Sequence, residues 1–165
     1  LLLESQPSQI IPGSILTGLS IRRYESFHEC PSYAAIKSKE DPNSLAKKWS
    51  VHILFKQATD GSIILGDTHE YADAADAESL GTHIREDMNR YMLDEAARIF
   101  QLQNWTVRET WTGTYSQCKH NDIFRHTIDG KIHLLTGIGG KSMTPRAGDA
   151  APHFKDIFLN QKPGL

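Results

Sequence analysis

The surest pattern along the chain is a helical stripe. Ile84, Met88, Tyr91, Met92, Ala96, Ile99 and Phe100 recur at steps of three and four. That spacing puts side chains on one face of an α-helix and predicts a helix over 82–100. Residues 51–58 and 62–68 read instead as strands, whose side chains fall alternately on two faces. They flank Thr59-Asp60-Gly61, a hairpin signal. If Asp60 and Gly61 are the two turn residues, Thr59 pairs with Ser62. Lys56 then faces Leu65, Leu54 faces Asp67 and His52 faces His69. Val51, Ile53, Phe55, Ile64 and Thr68 fall on the other, apolar face, which should receive the helical stripe. A longer loop would break this register.

Further strands are predicted at 1–5, 15–21, 106–115, 123–128 and 132–138, the last two joined through Asp129-Gly130. A helix is predicted over 31–39, ended by Asp41-Pro42, and a short helix closes the chain. Hairpin strands with helices between them imply an α+β fold, an antiparallel-rich sheet with helices on one face.

Composition narrows the function classes. The chain has 165 residues, 39% of them hydrophobic, enough for one globular domain or slightly more. A net charge of −2 makes no electrostatic case for nucleic acid or an anionic membrane. No apolar stretch approaches the roughly 18 residues of a membrane span, and the leading leucines are too few for a signal peptide. Two cysteines, Cys30 and Cys118, make no disulfide framework, so the cytoplasm is the default location. Cys30 before Pro31 is expected to be a small buried residue.

The candidate chemistry begins with a glycine turn. Strand 132–138 runs into Gly137-Ile138-Gly139-Gly140-Lys141-Ser142-Met143. Glycines let backbone come close to something flat or anionic. A phosphate loop is excluded, because the glycine it needs five residues before Gly-Lys-Ser is Leu135 here. The dinucleotide fingerprint is excluded too, because its third glycine would be Ser142. Lys141 either sets a cation beside a ligand or faces solvent. His52 and His69 either handle protons or bind a metal, or are two ordinary histidines among the chain's eight. No His-x-x-x-His or Cys-x-x-Cys spacing supports zinc, and no metal is expected. Arg22, on the same predicted strand face as Tyr24, either holds an anion with its planar fork or forms a surface ion pair.

The segment Thr136-Gly137-Ile138-Gly139-Gly140-x-x-Met143-Thr144 resembles the C-terminal flavin-contacting segment of the D-amino-acid-oxidase-like FAD oxidoreductases. It is most similar to a bacterial subgroup associated with phosphonate breakdown. Upstream, Ile21-Arg22-Arg23-Tyr24-Glu25-Ser26-Phe27 with Cys30-Pro31-Ser32 resembles that subgroup's Arg-x-Tyr-Asp-Ser-Phe…Cys-Pro. Gly66-Asp67-Thr68-His69-Glu70-Tyr71 is similar to its Gly-Asp-Ser-His-Glu-Tyr. Leu93-Asp94-Glu95-Ala96 and Trp111-x-Gly113-x-Tyr115 follow in order. The departure is Pro145-Arg146-Ala147-Gly148-Asp149, where the family carries small apolar residues.

The resemblance implies a substrate-binding lobe over 1–130 and a C-terminal segment over 131–165 that returns to an FAD-binding lobe. That lobe opens with a strand and Gly-x-Gly-x-x-Gly, which this sequence does not contain. The chain therefore reads as the C-terminal part of a larger enzyme, its N-terminal FAD-binding part missing, with FAD not expected on this chain alone. The implied activity is oxidation of a small anionic amine, phosphonate-linked or amino-acid-like. Hydride passes from the amine-bearing carbon to flavin N5, the imine hydrolyses, and O₂ reoxidises the flavin. Arg22, Tyr24, His52 and His69 are the implied substrate-binding residues. Gly137, Ile138, Gly139, Gly140, Lys141, Ser142 and Met143 are the implied cofactor contacts; no catalytic base is assigned. The competing class is a non-enzymatic α+β binding module.

Overall fold

The computed structural model describes residues 1–22, 27–120, 123–141 and 146–159. The chain divides into two compact units, Leu1–Thr112 and Gly113–Leu165. The sequence boundary at 130 marked the start of a flavin-contacting segment; the compact units divide earlier, because strands on either side of residue 130 pair with each other.

Unit 1 is a mixed α+β fold on a five-stranded antiparallel sheet. Its elements are β1 (Leu2–Leu3), β2 (Ser14–Leu16), α1 (Gly18–Ile21), α2 (Tyr33–Lys37), α3 (Leu45–Lys48), β3 (Leu54–Gln57), β4 (Ile63–Gly66), α4 (Glu86–Ile99) and β5 (Val107–Glu109). A 3₁₀ segment, Ala74–Leu80, precedes α4. The strand order is β2-β3-β4-β1-β5, and every pairing is antiparallel.

The β3–β4 turn corrects the sequence register. Ala58 N–H donates to Ser62 O (2.8 Å), and Gly61 N–H donates to Ala58 O (3.0 Å). The loop is therefore three residues, Thr59-Asp60-Gly61, with Gly61 at φ +81°. This is a turn closed by one left-handed residue, which glycine adopts freely. Asp60 Oδ1 fastens it, accepting from the Ser62 amide at 3.0 Å and from the Ser62 hydroxyl. Lys56 consequently faces Ile64 and Phe55 faces Leu65. The one-residue slip reverses β4: Ile63 and Leu65 are fully buried while Ile64 is exposed. Ile64 thus leaves the apolar face expected for it, and Leu65 joins that face.

The face carrying Val51, Ile53 and Phe55 was correctly read. All three are buried in one cluster with Leu3, Ile63, Leu65 and the helix residues Met88, Met92 and Ala96. Aromatic edges complete it, Phe55 against Phe100 at 5.8 Å and Trp49 against Tyr91 at 5.7 Å. Helix α4 begins later than the stripe suggests. Arg85 is still extended, so Ile84 lies outside the helix and is exposed. Glu86 and Asp87 then occupy the first turn, where negative charge complements the helix dipole.

Two further expectations are overturned. The strand predicted over 15–21 pairs with β3 only to Leu16↔Leu54. Beyond it Ile53 O accepts from both the Thr17 amide (3.1 Å) and the buried Ser20 hydroxyl (3.1 Å). Those bonds take the place of a continuing ladder and turn the chain into α1. Cys30 is exposed, because it lies in a turn whose amide bonds Phe27 O and not on a buried element.

Unit 2 contains β6 (Phe124–Ile128) and β7 (Ile132–Thr136), a two-stranded antiparallel hairpin. A 3₁₀ turn (Gly139–Lys141) and α5 (Arg146–Leu159) follow. Among the described residues, no helix is long and apolar enough to cross a membrane.

Candidate functional site

A cavity of about 460 Å³ lies in unit 1, where α1, α2 and α3 meet the chain entering β3. Its cations are Arg22, Lys37 and Lys47, its imidazoles His28 and His52, and its acids Glu40 and Asp41. Local structure explains these positions. Ser44 caps α3, its hydroxyl accepting from the Lys47 amide at 3.3 Å, so Lys47 and Lys48 fall in the last turn, where cations suit the helix dipole. The Val51 amide bonds Ala46 O at 2.8 Å, which folds α3 back onto the start of β3 and brings Lys47 and His52 to one wall.

Glu40 organises the cations opposite. Arg22 Nε donates to Glu40 Oε1 at 2.7 Å, and Lys37 Nζ lies 2.7 Å from Oε2. Partial burial raises the Glu40 carboxyl, but the hydrogen bonds and charges of Lys37 and Arg22 outweigh it and hold the group below its ordinary value. An anion entering the cavity therefore meets two cations already paired, and competes with Glu40 for them.

The second feature is a cluster beside the cavity. Past Leu54↔Gly66 the β3–β4 ladder slips again. His52 and Asp67 exchange backbone bonds, His52 N–H to Asp67 O at 2.8 Å and Asp67 N–H back to His52 O. Ile53 is thus the extra residue of a β-bulge. His69 N–H bonds Trp49 O at 2.9 Å. These bonds converge three side chains. His52 Nδ1 lies 3.6 Å from Asp67 Oδ1, and His69 Nε2 lies 3.5 Å from Asp67 Oδ2. The rings are 5.1 Å apart. Both imidazoles are largely covered, at 13% and 10% exposure, while the Asp67 carboxylate is open at 52%. Tyr71 stacks on His69 at 6.0 Å and itself lines the cavity.

The structure brings together Arg22 and His52 on the cavity, with His69 against His52. Tyr24 lies outside the described residues. Arg22 reaches the site from the C-terminal end of α1, not from a strand face shared with Tyr24. His52 and His69 meet through Asp67 and not as direct ladder partners. Asp67, which shares strand parity with His69 two residues on, is not among the predicted site residues.

The glycine turn is occupied by its own unit. Gly137 and Gly139 have φ of +73° and +68°, conformations that favour glycine. A Cβ on Gly137 would meet Cys118 Sγ at 2.7 Å; on Gly139, the Gln117 side chain at 3.1 Å; on Gly140, the Tyr115 hydroxyl at 3.3 Å. Cys118 N–H donates to Gly137 O (2.8 Å), and Gly139 N–H to Ser116 O (3.1 Å). The glycines thus make room for residues 115–118. They do not form an open cradle for a flat ring, and the turn as described does not fit a flavin ring at those positions. Ile138 is bridged to Gln117. Ser142 and Met143, and the side chain of Lys141, lie outside the described residues.

Comparison of this chain with family models, with curated proteins and with solved structures gives no match.

Proposed function

We propose that this chain is the C-terminal part of an FAD-dependent oxidoreductase of the D-amino-acid-oxidase-like kind, and that unit 1 is its substrate lobe. One observation carries the reading. The two upstream stretches that resemble the family, 21–32 and 66–71, are far apart in sequence and meet at one cavity. Arg22 and His28 from the first and Tyr71 from the second line it, and His69 stacks on Tyr71. The substrate class is a small amine bearing an anionic group. Lys47, with the Glu40-bound Arg22 and Lys37, attracts the anion; His52 and Tyr71 bound the space and orient the rest. The cytoplasm is the location proposed, and FAD is held mainly by a part outside this chain. No chemical step is assigned to the glycine turn.

Unit 2 lends support. Phe124, Ile132, Phe154 and Phe158 are exposed in this chain, as expected of a segment that packs on another lobe. The filled glycine turn favours a second reading, a binding module without redox chemistry that uses the same cavity.

The test is the longer protein that carries this chain. Purified, it should show a near-stoichiometric flavin-to-protein absorbance ratio. Anaerobic 2-aminoethylphosphonate should bleach the flavin, and Arg22→Ala should raise KM more than it lowers kcat. Protein without flavin, and without a strand and Gly-x-Gly-x-x-Gly upstream, would leave the binding module. Flavin bleached by neutral amines alone would refute the anionic substrate class.

A further inference from the structure

We infer that His52, Asp67 and His69 form a binding site for a divalent transition-metal ion of the Zn²⁺ class. The inference does not depend on the flavin reading. Each residue offers one ligand atom, and the three atoms lie within 4.8 Å of one another. His52 Nδ1 lies 3.6 Å from Asp67 Oδ1 and His69 Nε2 lies 3.5 Å from Asp67 Oδ2. The two distances run to different carboxylate oxygens, and a set of one oxygen with the two nitrogens spans up to 4.8 Å, wider than the edge of a tetrahedron around one ion. Zn–N and Zn–O bonds of about 2.0–2.1 Å put neighbouring ligands about 3.3–3.4 Å apart. Turning the Asp67 carboxylate and the His52 ring inward, against a His69 ring held by Tyr71, is the closure that the ion would impose.

The backbone preorganises the set. The bulge ties His52 to Asp67 by reciprocal bonds, and Trp49 O holds the His69 amide. The stack with Tyr71 fixes the His69 ring. Covered imidazoles with an open carboxylate leave a coordination position toward solvent, the pattern of three protein ligands plus one exchangeable ligand. Two imidazoles select Zn²⁺, Co²⁺ or Ni²⁺ over Mg²⁺ and Ca²⁺, which prefer oxygen. The sequence set His52 opposite His69 and named a metal among their readings, but 52 and 67 belong to opposite sides of a hairpin, so Asp67 joins the set only through the bulge.

The experiment uses the full chain without a polyhistidine tag. Zn²⁺ alone is titrated against it by calorimetry, and Co²⁺ is titrated in parallel for its ligand-field absorbance. One ion per chain should bind, with a tetrahedral or five-coordinate Co²⁺ spectrum. Asp67→Asn, His52→Gln and His69→Gln should each weaken binding by about 100-fold or more, since changes merely to outer-shell partners cost ~10–100-fold. His126→Ala, on the β6 hairpin, should bind as the parent does. Asp67 is open to solvent, so Asp67→Asn keeps the test decisive even if a histidine variant misfolds; circular dichroism reports which have folded. Failure of the parent to bind Zn²⁺, or equal binding by folded Asp67→Asn, overturns the site.

Discussion

Units 1 and 2 treat similar side chains in opposite ways. In unit 1, Leu3, Ile53, Phe55, Ile63, Leu65 and Ala96 lose all exposure. In unit 2, Phe154, Phe158 and Leu159 keep 58–74% of theirs, and among the described residues only Gly137 is buried. Both units contain a hairpin and a helix of 14 residues. The difference lies in what the hairpin belongs to. The β3–β4 hairpin is extended to five strands, and its apolar face is broad enough to take a helical stripe. The β6–β7 hairpin stands as two strands, an arrangement marginal in water at best. Helix α5 also carries Pro152 in its interior, which removes a backbone bond. Unit 1 buries a core of its own, whereas among the described residues of unit 2 the close packing includes the glycine turn against residues 115–118.

The largest test of this contrast is a pair of truncations. Phe55→Ala should cost about 3–5 kcal/mol, because a buried ring is lost and the site collapses only in part. Phe158→Ala should stay within about 0.5 kcal/mol, as an exposed substitution does. Urea midpoints of the two variants measure the difference, and equal shifts would break the comparison.

Next comes overpacking. Ala96 has no exposure against the sheet, so Ala96→Leu should destabilise by about 1–3 kcal/mol. A neutral result in thermal melts would mean that α4 packs loosely.

Gly137→Ala should cost about 1–2 kcal/mol, since it forces a left-handed alanine and drives Cβ into Cys118. Hydrogen exchange sharpens the contrast here. Amides of β6 and β7 should lose protection while those of β3 and β4 keep theirs. Loss in both units would show that unit 1 is not self-sufficient.

The smallest effect is in acid. The Ser62 hydroxyl and amide, then Arg108, hold the Asp60 carboxyl down to about 2 from an ordinary 3.8. A depressed carboxyl supports the fold fully above its unfolded value and loses that support as pH falls through the folded one. The unit 1 turn should therefore weaken between about pH 4 and 2, and Asp60→Asn should flatten that part of the stability profile. An unchanged slope in the variant would count against this role for the turn.

Arg22 and His52 both line one cavity, by routes the sequence did not show. Arg22 comes off a helix end where a strand was expected. His69 is positioned by its amide bond to Trp49 O, and Asp67, between the two imidazoles, is brought there by the bulge at Ile53. The conformation of the glycine turn is accounted for by Tyr115, Gln117 and Cys118 of its own unit.

What the sequence determined by itself is local and periodic. The stripe on α4, the apolar row Val51-Ile53-Phe55 and the turn around Asp60-Gly61 depend on neighbours within a few residues, whose chemistry is written in order. The tertiary structure alone decided the rest: whether the loop holds two residues or three, hence which face of β4 is buried, where β2 yields to α1, and which carboxylate stands between His52 and His69. A single added loop residue reverses a whole strand because side chains alternate with period two. That choice is made by contacts between distant segments, where Leu65 and Ile63 gain burial that Ile64 forgoes.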